Sequence, residues 1–268
     1  MSSRPVARAL GFESGAVALL ACAGGFLFMA YNIGSLWKLW YLTLLILVLT
    51  SLGISKMITT RFMGLFIDAR NVMSLSRIQM FAWTVLVLSG FVAGAFWNVN
   101  HAIKDPIGSI VFDETLLVLM GISTTSLVAS PLILSGKETS TADTTTAAIF
   151  TRPDLQEASW KDLFTGESTG NAKHLDLSRL QMFFFTVVVL VVYWVVLRDY
   201  FGQIEASKVV RKVDLLPSLP EGVLWLVGIS HGGYLSMKAI SPQSATDGCG
   251  SNPASSGKAS PYPPSAKA

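Results

Sequence analysis

Charge is what this sequence has least of. Only 14% of its 268 residues are Asp, Glu, Lys or Arg, against 51% hydrophobic, whereas soluble domains carry about 25% charged residues. So few charges cannot coat a water-facing surface, which excludes soluble globular, disordered and fibrous classes together and leaves a multi-pass membrane protein. A mean hydropathy of +0.52 agrees. The net charge of +3 offers no basic footprint for nucleic acid. Cysteine is nearly absent: Cys22 lies in the first apolar run and Cys249 in the C-terminal tail, so neither a disulfide framework nor a metal-ligand spacing exists. His101, His174 and His231 fall on two different connections and within an apolar run, too far apart in the chain's layout to gather. There is no Gly-rich phosphate loop, no His/Cys/Asp/Glu cluster, and no Ser placed with a His and an acid. The expectation is therefore no cofactor, no metal and no enzymatic activity. Acidic residues never enter an apolar run, which argues against most cation-coupled transporters.

What is present are six apolar runs of the length a membrane helix needs, about 20 residues. They cover residues 15–33, 37–58, 77–98, 115–134, 180–197 and 221–240. Backbone polar groups find no water in lipid, so helices are the natural spanning element, and these runs are too long and too evenly apolar for barrel strands. The fold expected is an all-α polytopic membrane protein with about six transmembrane helices.

Orientation follows from Lys and Arg, which favour cytoplasmic connections. With the N-terminus inside, fourteen of the 20 Lys and Arg residues fall on the inner side and six on the outer. Trp37, Trp40, Trp97, Trp194 and Trp225 then lie near the outer interface, as an aromatic belt does. Both termini are expected in the cytoplasm. Arg4 and Arg8 ahead of the first apolar run resemble a signal sequence, and Leu19-Leu20-Ala21-Cys22 a lipoprotein cleavage box. Because the chain stays apolar through Tyr31, an uncleaved signal-anchor helix is the better expectation.

The sequence also repeats itself. Residues 74–88 (SLSRIQMFAWTVLVL) align without gaps on 176–190 (DLSRLQMFFFTVVVL), ten of fifteen positions being identical. Leu-Met-Gly-Ile-Ser at 119–123 likewise matches Leu-Val-Gly-Ile-Ser at 226–230. Helices 3–4 and 5–6 thus read as a duplicated helical hairpin, each copy with an even number of spans and so in parallel. A third Gly-Ile-Ser stands at 53–55. The resulting layout is a two-helix N-terminal segment (1–58), a first repeat with an interfacial helix (59–134), a cytoplasmic insertion (135–177), a second repeat (178–240) and a disordered Ser/Pro/Gly-rich tail (241–268).

Between the spans, Phe62, Leu65, Phe66, Ala69 and Met73 have the spacing of an interfacial helix over 59–73. The insertion begins with a Ser/Thr-rich linker and then offers short amphipathic turns around Leu155, Trp160, Leu163 and Phe164. Val209, Val213 and Leu216 opposite Lys208, Arg211 and Lys212 suggest a second interfacial helix over 204–216.

Each repeat opens on Ser-Arg-x-Gln. Ser76 with Gln79, and Ser178 with Gln181, have capping-box spacing, and Arg77 and Arg179 put a cation at headgroup level, able to hold lipid phosphate. A cation at a helix N-terminus opposes the helix dipole, so these arginines serve something other than helix stability. Small residues recur at Gly90 and Gly94 in helix 3, at Gly121 in helix 4, and at Gly228 and Gly232 in helix 6; such stripes let backbones approach closely. Glu114 and Glu221 begin the second helix of each repeat, where an acid suits the dipole. His231 is the one ionisable residue in the middle of a run. With Ser230 and Tyr234, and with Ser123, Thr124, Thr125 and Ser126 of the sister helix, it forms a candidate polar seam, either structural or for handling protons and ions.

The segments Gly-Leu-Phe-Ile-Asp-Ala-Arg-Asn (64–71), Ser-Leu-Ser-Arg-Ile-Gln (74–79), Ser-Trp-Lys-Asp-Leu-Phe (159–164) and Gly-Ile-Ser-His-Gly-Gly-Tyr (228–234) with Lys238 resemble a group of uncharacterised bacterial multi-pass membrane proteins. The resemblance covers roughly residues 60 to 240 and implies a bacterial inner membrane, with no activity attached. The function expected is a non-enzymatic scaffold or accessory subunit, with membrane lipids and either a second copy or a protein as partners. The alternative is an ion or small-solute channel or transporter centred on His231.

Overall fold

Long apolar runs rich in Leu, Val, Ile and Phe form helices, and five such helices make up most of the described residues. The computed structural model describes residues 24–140, 149–167 and 172–239. A short helical stretch at 24–32 precedes α1 (Leu36–Thr59), followed by α2 (Leu75–Asn100), α3 (Glu114–Ser140), α4 (Leu177–Glu205) and α5 (Glu221–Ala239). Among the described residues there is no β-strand, only three isolated bridges. Four segments are long and apolar enough to cross a membrane: Leu36–Thr59, Leu75–Asn100, Glu114–Ile133 and Leu177–Glu205. They suggest a membrane protein. The 19-residue α5 falls short because Ser230, His231, Tyr234 and Lys238 dilute it. Residues 15–23 of the expected first span, Cys22 among them, lie outside the described residues, as do the linker at 141–148 and the tail.

Helix α2 is the centre of the bundle and lies against α1, α3 and α4; α5 packs against α3 and α4. The core they enclose is aromatic, with Trp40, Trp83, Tyr193 and Phe201 fully buried. Trp40 meets Trp194 at 5.0 Å and donates its indole N–H to Ser89 Oγ at 2.9 Å, so the buried nitrogen is satisfied. Glu205, at the end of α4, accepts from Ser35 Oγ and the Leu36 amide, both at 3.1 Å. A carboxylate from one helix thereby caps the positive end of another.

At one end of the bundle, called here the platform end, the connections 60–74 and 149–176 lie together. The expected interfacial helix over 59–73 does not form. Thr60 takes a left-handed φ of 63° and ends α1; a short 3-10 turn, Phe62–Phe66, then gives way to a bridge between Ile67 and Met73. The second connection has the same plan: a 3-10 turn over Trp160–Leu163, then a bridge between Thr165 and Leu175. Each bridge leads directly into a helix. The Ser74 amide donates to Phe66 O and the Asp176 amide to Phe164 O, both at 2.8 Å. Edge-on ring pairs brace both joints, Phe66 on Phe81 at 5.3 Å and Phe164 on Phe183 at 5.2 Å.

Helices α2 and α4 start two residues earlier than the capping boxes require, and the boxes do not form. Ser74 is the N-cap of α2 without a side-chain bond, while Asp176 caps α4 by accepting from the Ser178 and Arg179 amides. Ser76 and Gln79 are instead buried inside the first turns of α2, and Gln79 donates across to Thr186 at 2.6 Å. Gln181 is exposed.

At the far end, 207–220 is extended, not an interfacial helix. Val213 and Leu216 are fully buried while Val209 is exposed. Asn98 holds the strand by both backbone groups of Val213, accepting from its N–H at 2.9 Å and donating to its C=O at 2.8 Å, and Trp97 donates to Arg211 O at 3.0 Å. The glycine stripes divide accordingly. Gly94 faces Val213, whose Cγ1 would lie 2.8 Å from an added Cβ, and Gly90 faces Leu197 at 3.1 Å. Gly121 and Gly232 have nothing within 4 Å, and Gly228 meets only Ile122 at 3.8 Å. Among the stripe glycines, close approach within the chain is thus confined to α2. The α3–α5 contact is built from serines, His231 and Tyr234 instead of glycines.

Candidate functional site

A largely buried carboxylate organises the platform end. Glu167 Oε1 accepts from Lys238 at 2.8 Å, from Arg179, and from Arg70 at 3.4 Å. These cations come from α5, from the first turn of α4 and from the 60–74 connection. Lys238 and Arg179 are both buried, and a buried charge is tolerated only when paired and hydrogen-bonded. Burial alone would push the Glu167 carboxyl up; Arg179, Lys238 and Arg70 more than reverse this and hold it below the ordinary carboxylate value. Arg70 is likewise desolvated, yet Glu167 and Asp68 raise it above an ordinary arginine.

The hub is braced from outside. Asp68 holds Arg70 at 2.7 Å, and Asp176 lies 3.6 Å from Arg179. Arg179 also donates to the carbonyl of Asp162 at 3.1 Å, and Asp162 pairs with Arg152 at 2.6 Å. Ser159 and Asp162 form a true capping box on the Trp160–Leu163 turn. Backbone and side-chain bonds lay 149–167 across the first connection: Arg152 N to Arg70 O, Asn71 to Arg152 O, each at 2.9 Å, and Arg61 to Leu155 O at 2.8 Å.

From this hub a line of polar contacts runs up the α3–α5 interface. Lys238 Nζ donates to Tyr234 Oη at 3.1 Å; Tyr234 Oη lies 3.4 Å from Ser130 Oγ; one turn further, His231 Nδ1 lies 2.6 Å from Ser126 Oγ. Ser123 and Ser230 are buried there with hydroxyls that have no hydrogen-bond partner. Of the expected seam, His231, Tyr234, Ser230 and Ser123 thus come together. Thr124 does not: it is exposed and bonds back to Met120 O of its own helix at 2.9 Å. Thr125 is exposed as well, whereas Ser126 meets His231 as expected and Ser130 joins it four residues on, because a helix presents every third or fourth residue to one neighbour.

Next to the hub is a cavity of about 740 Å³. Arg70, Arg77, Arg179, Lys238, Asp68 and Glu167 line its polar part. Met80, Phe81, Leu127, Val128, Pro131 and Leu132 line its apolar part, where Val128 and Leu132 are themselves exposed. Arg179 does not reach out to headgroups as expected of it; it is turned inward onto Glu167. Arg77 is half-exposed, and its one hydrogen bond is a 3.5 Å contact with Leu65 O. Among the described residues it has no carboxylate partner. Sequence reasoning missed Glu167, Arg70 and Asp68 as site residues, since no local pattern links positions so far apart.

Among the described residues no group of His, Cys, Asp and Glu could hold a metal ion. Compared with protein-family models, curated proteins and solved structures, the chain finds no significant match.

Proposed function

We propose that this chain is an integral protein of a bacterial inner membrane, with six spans and both termini in the cytoplasm, acting as a non-enzymatic scaffold or accessory subunit. The observation that carries the reading is the Glu167 hub. Three cations from separate segments are spent on one buried carboxylate, which fixes the 149–167 platform to the helix ends instead of leaving charges free for chemistry or transport. A rigid platform bearing an exposed Trp160 on membrane helices is suited to holding a partner. The exposed Gly121 and Gly232 leave helix faces open to a second copy. The duplicated hairpin belongs to the same proposal. Its support is the recurrence of turn, bridge, N-cap and aromatic brace ahead of α2 and α4. Leu65-Phe66 and Leu163-Phe164 support a repeat that begins upstream of the matched helices. Crosslinking in membranes followed by mass spectrometry should recover one recurrent partner or a homo-oligomer. A strictly lone monomer overturns the reading.

A second reading, a proton or ion path, is favoured by the polar line from His231 to Glu167. Reconstituted in liposomes, such a protein shows flux that falls with His231→Ala. Absence of flux, or flux indifferent to that change, overturns it.

A further inference from the structure

The two joints differ in one respect that points to a ligand. Arg77 and Arg179 occupy matching positions in the aligned segments 74–88 and 176–190, and each reaches back to its own 3-10 turn, Arg77 to Leu65 O at 3.5 Å and Arg179 to Asp162 O at 3.1 Å. Arg179 then meets a carboxylate two residues beyond the bridge residue Thr165, namely Glu167. Two residues beyond the matching bridge residue Ile67 stands Ala69. Where the second joint has an anion, the first has a methyl group and open space: Ala69 and Arg77 both line the 740 Å³ cavity.

The charge balance of that cavity agrees. Four cations and two carboxylates line it; even with Asp176 counted against Arg179, one positive charge is left over, and Arg77 is the cation without a carboxylate. The remaining wall is apolar and continues onto Val128 and Leu132, whose exposure places them on the outer face of a helix that reads as membrane-spanning. A cavity with a cation at helix-end level and an apolar wall open to the bilayer suits a molecule with a phosphate at one end and acyl chains at the other.

We propose that Arg77 binds the phosphate of an anionic phospholipid, which fills in the first joint the place that Glu167 fills in the second, with its acyl chains along Met80, Val128 and Leu132. The site requires only that the chain lies in a bilayer and is independent of the scaffold reading. A polar lipid phosphate there neutralises the unpaired guanidinium through charge-assisted hydrogen bonds, which arginine forms in pairs with planar or tetrahedral oxyanions.

The full-length protein, purified in mild detergent and stripped of lipid, is titrated by native mass spectrometry with phosphatidylglycerol and with phosphatidylcholine of identical chains. One phosphatidylglycerol should bind per chain, at least about fivefold tighter than phosphatidylcholine, the effect of roughly one interfacial cation. Arg77→Gln should abolish the preference, Arg77→Lys should keep part of it, and Arg211→Gln at the far end should leave it intact. Ala69→Glu, which supplies the carboxylate that the second joint has, should abolish it without removing the arginine, and so decides the matter if Arg77→Gln does not fold. Val128→Trp should weaken both lipids by filling the apolar wall. Equal binding of the two lipids, a preference that survives both Arg77→Gln and Ala69→Glu, or full displacement by inorganic phosphate would each overturn the proposal, the last by showing a free-anion site.

Discussion

Lys238, in the last turn of α5, donates to Glu167 at 2.8 Å across 71 residues of chain. This pair joins the end of the helical bundle to the connection that crosses its base, and it does so in a buried environment where neither charge is stable alone.

Glu167→Gln keeps an acceptor oxygen but removes the negative charge that three cations share, so it should destabilise the protein by about 3–5 kcal/mol, the cost of leaving buried charge uncompensated. Denaturant unfolding in detergent micelles measures this. Combining Glu167→Gln with Lys238→Met should recover part of the loss, because one of the stranded cations goes with it.

The hub also sets a pH dependence. The Glu167 carboxyl is held below its ordinary value, so the folded pKa lies below the unfolded one, near 4.3. The stability it contributes is therefore complete above that unfolded value and is lost as pH falls through the depressed folded value. Limited proteolysis between residues 149 and 167 should stay slow from neutral pH down to about 4.3 and accelerate below it. In Glu167→Gln this acid step should be missing.

Gly94→Ala should cost about 1–3 kcal/mol, since the new Cβ meets Val213 at 2.8 Å and the segment behind it is clamped. Gly121→Ala has nothing within 4 Å to meet and should leave the monomer's unfolding unchanged. If Gly121 changes anything, it should be the oligomer, read by crosslinking.

Asn98→Ala strips both backbone partners from Val213 and leaves a buried N–H and C=O unpaired. A loss of about 1–3 kcal/mol follows, and the 207–220 segment should become the first site of proteolytic cutting. Trp97, which holds Arg211 O, should keep the rest of the far end in place.

Gln79→Leu removes the 2.6 Å bond to Thr186 between α2 and α4. Interhelical hydrogen bonds of this kind average about 0.6 kcal/mol in membranes, so the change should be small, well under that of Glu167→Gln. A large effect would show that Gln79 is tied to more than Thr186 and the Met182 carbonyl, to which it also donates at 3.4 Å.

Long apolar runs made α1 to α4 legible from sequence, because a helix of twenty or so apolar residues has no competing structure in lipid. The connections were not legible, and each for a local reason. Val213 and Leu216 are three apart and fit a helical face, yet Pro217 and Pro220 follow and Asn98 offers partners to an extended backbone. The Ser-Arg-x-Gln boxes had the right spacing, but Ser74 and Asp176 lie two residues ahead and start the helices there. His231 was legible as the lone mid-run ionisable residue. Which of residues 123–126 meet it is a matter of helix rotation, which one sequence does not specify: Ser126 does, and Thr124 does not. Glu167 was invisible for a different reason: its importance comes wholly from residues 70, 179 and 238, brought together only by the tertiary fold.

The hub's membership also imposes an order in time. Arg70 is synthesised long before Glu167, and Lys238 is the last of the hub's members. A chain still emerging from the ribosome therefore carries an unfinished base, with Arg70 and then Glu167 exposed, until α5 is in place and its final turn closes the set.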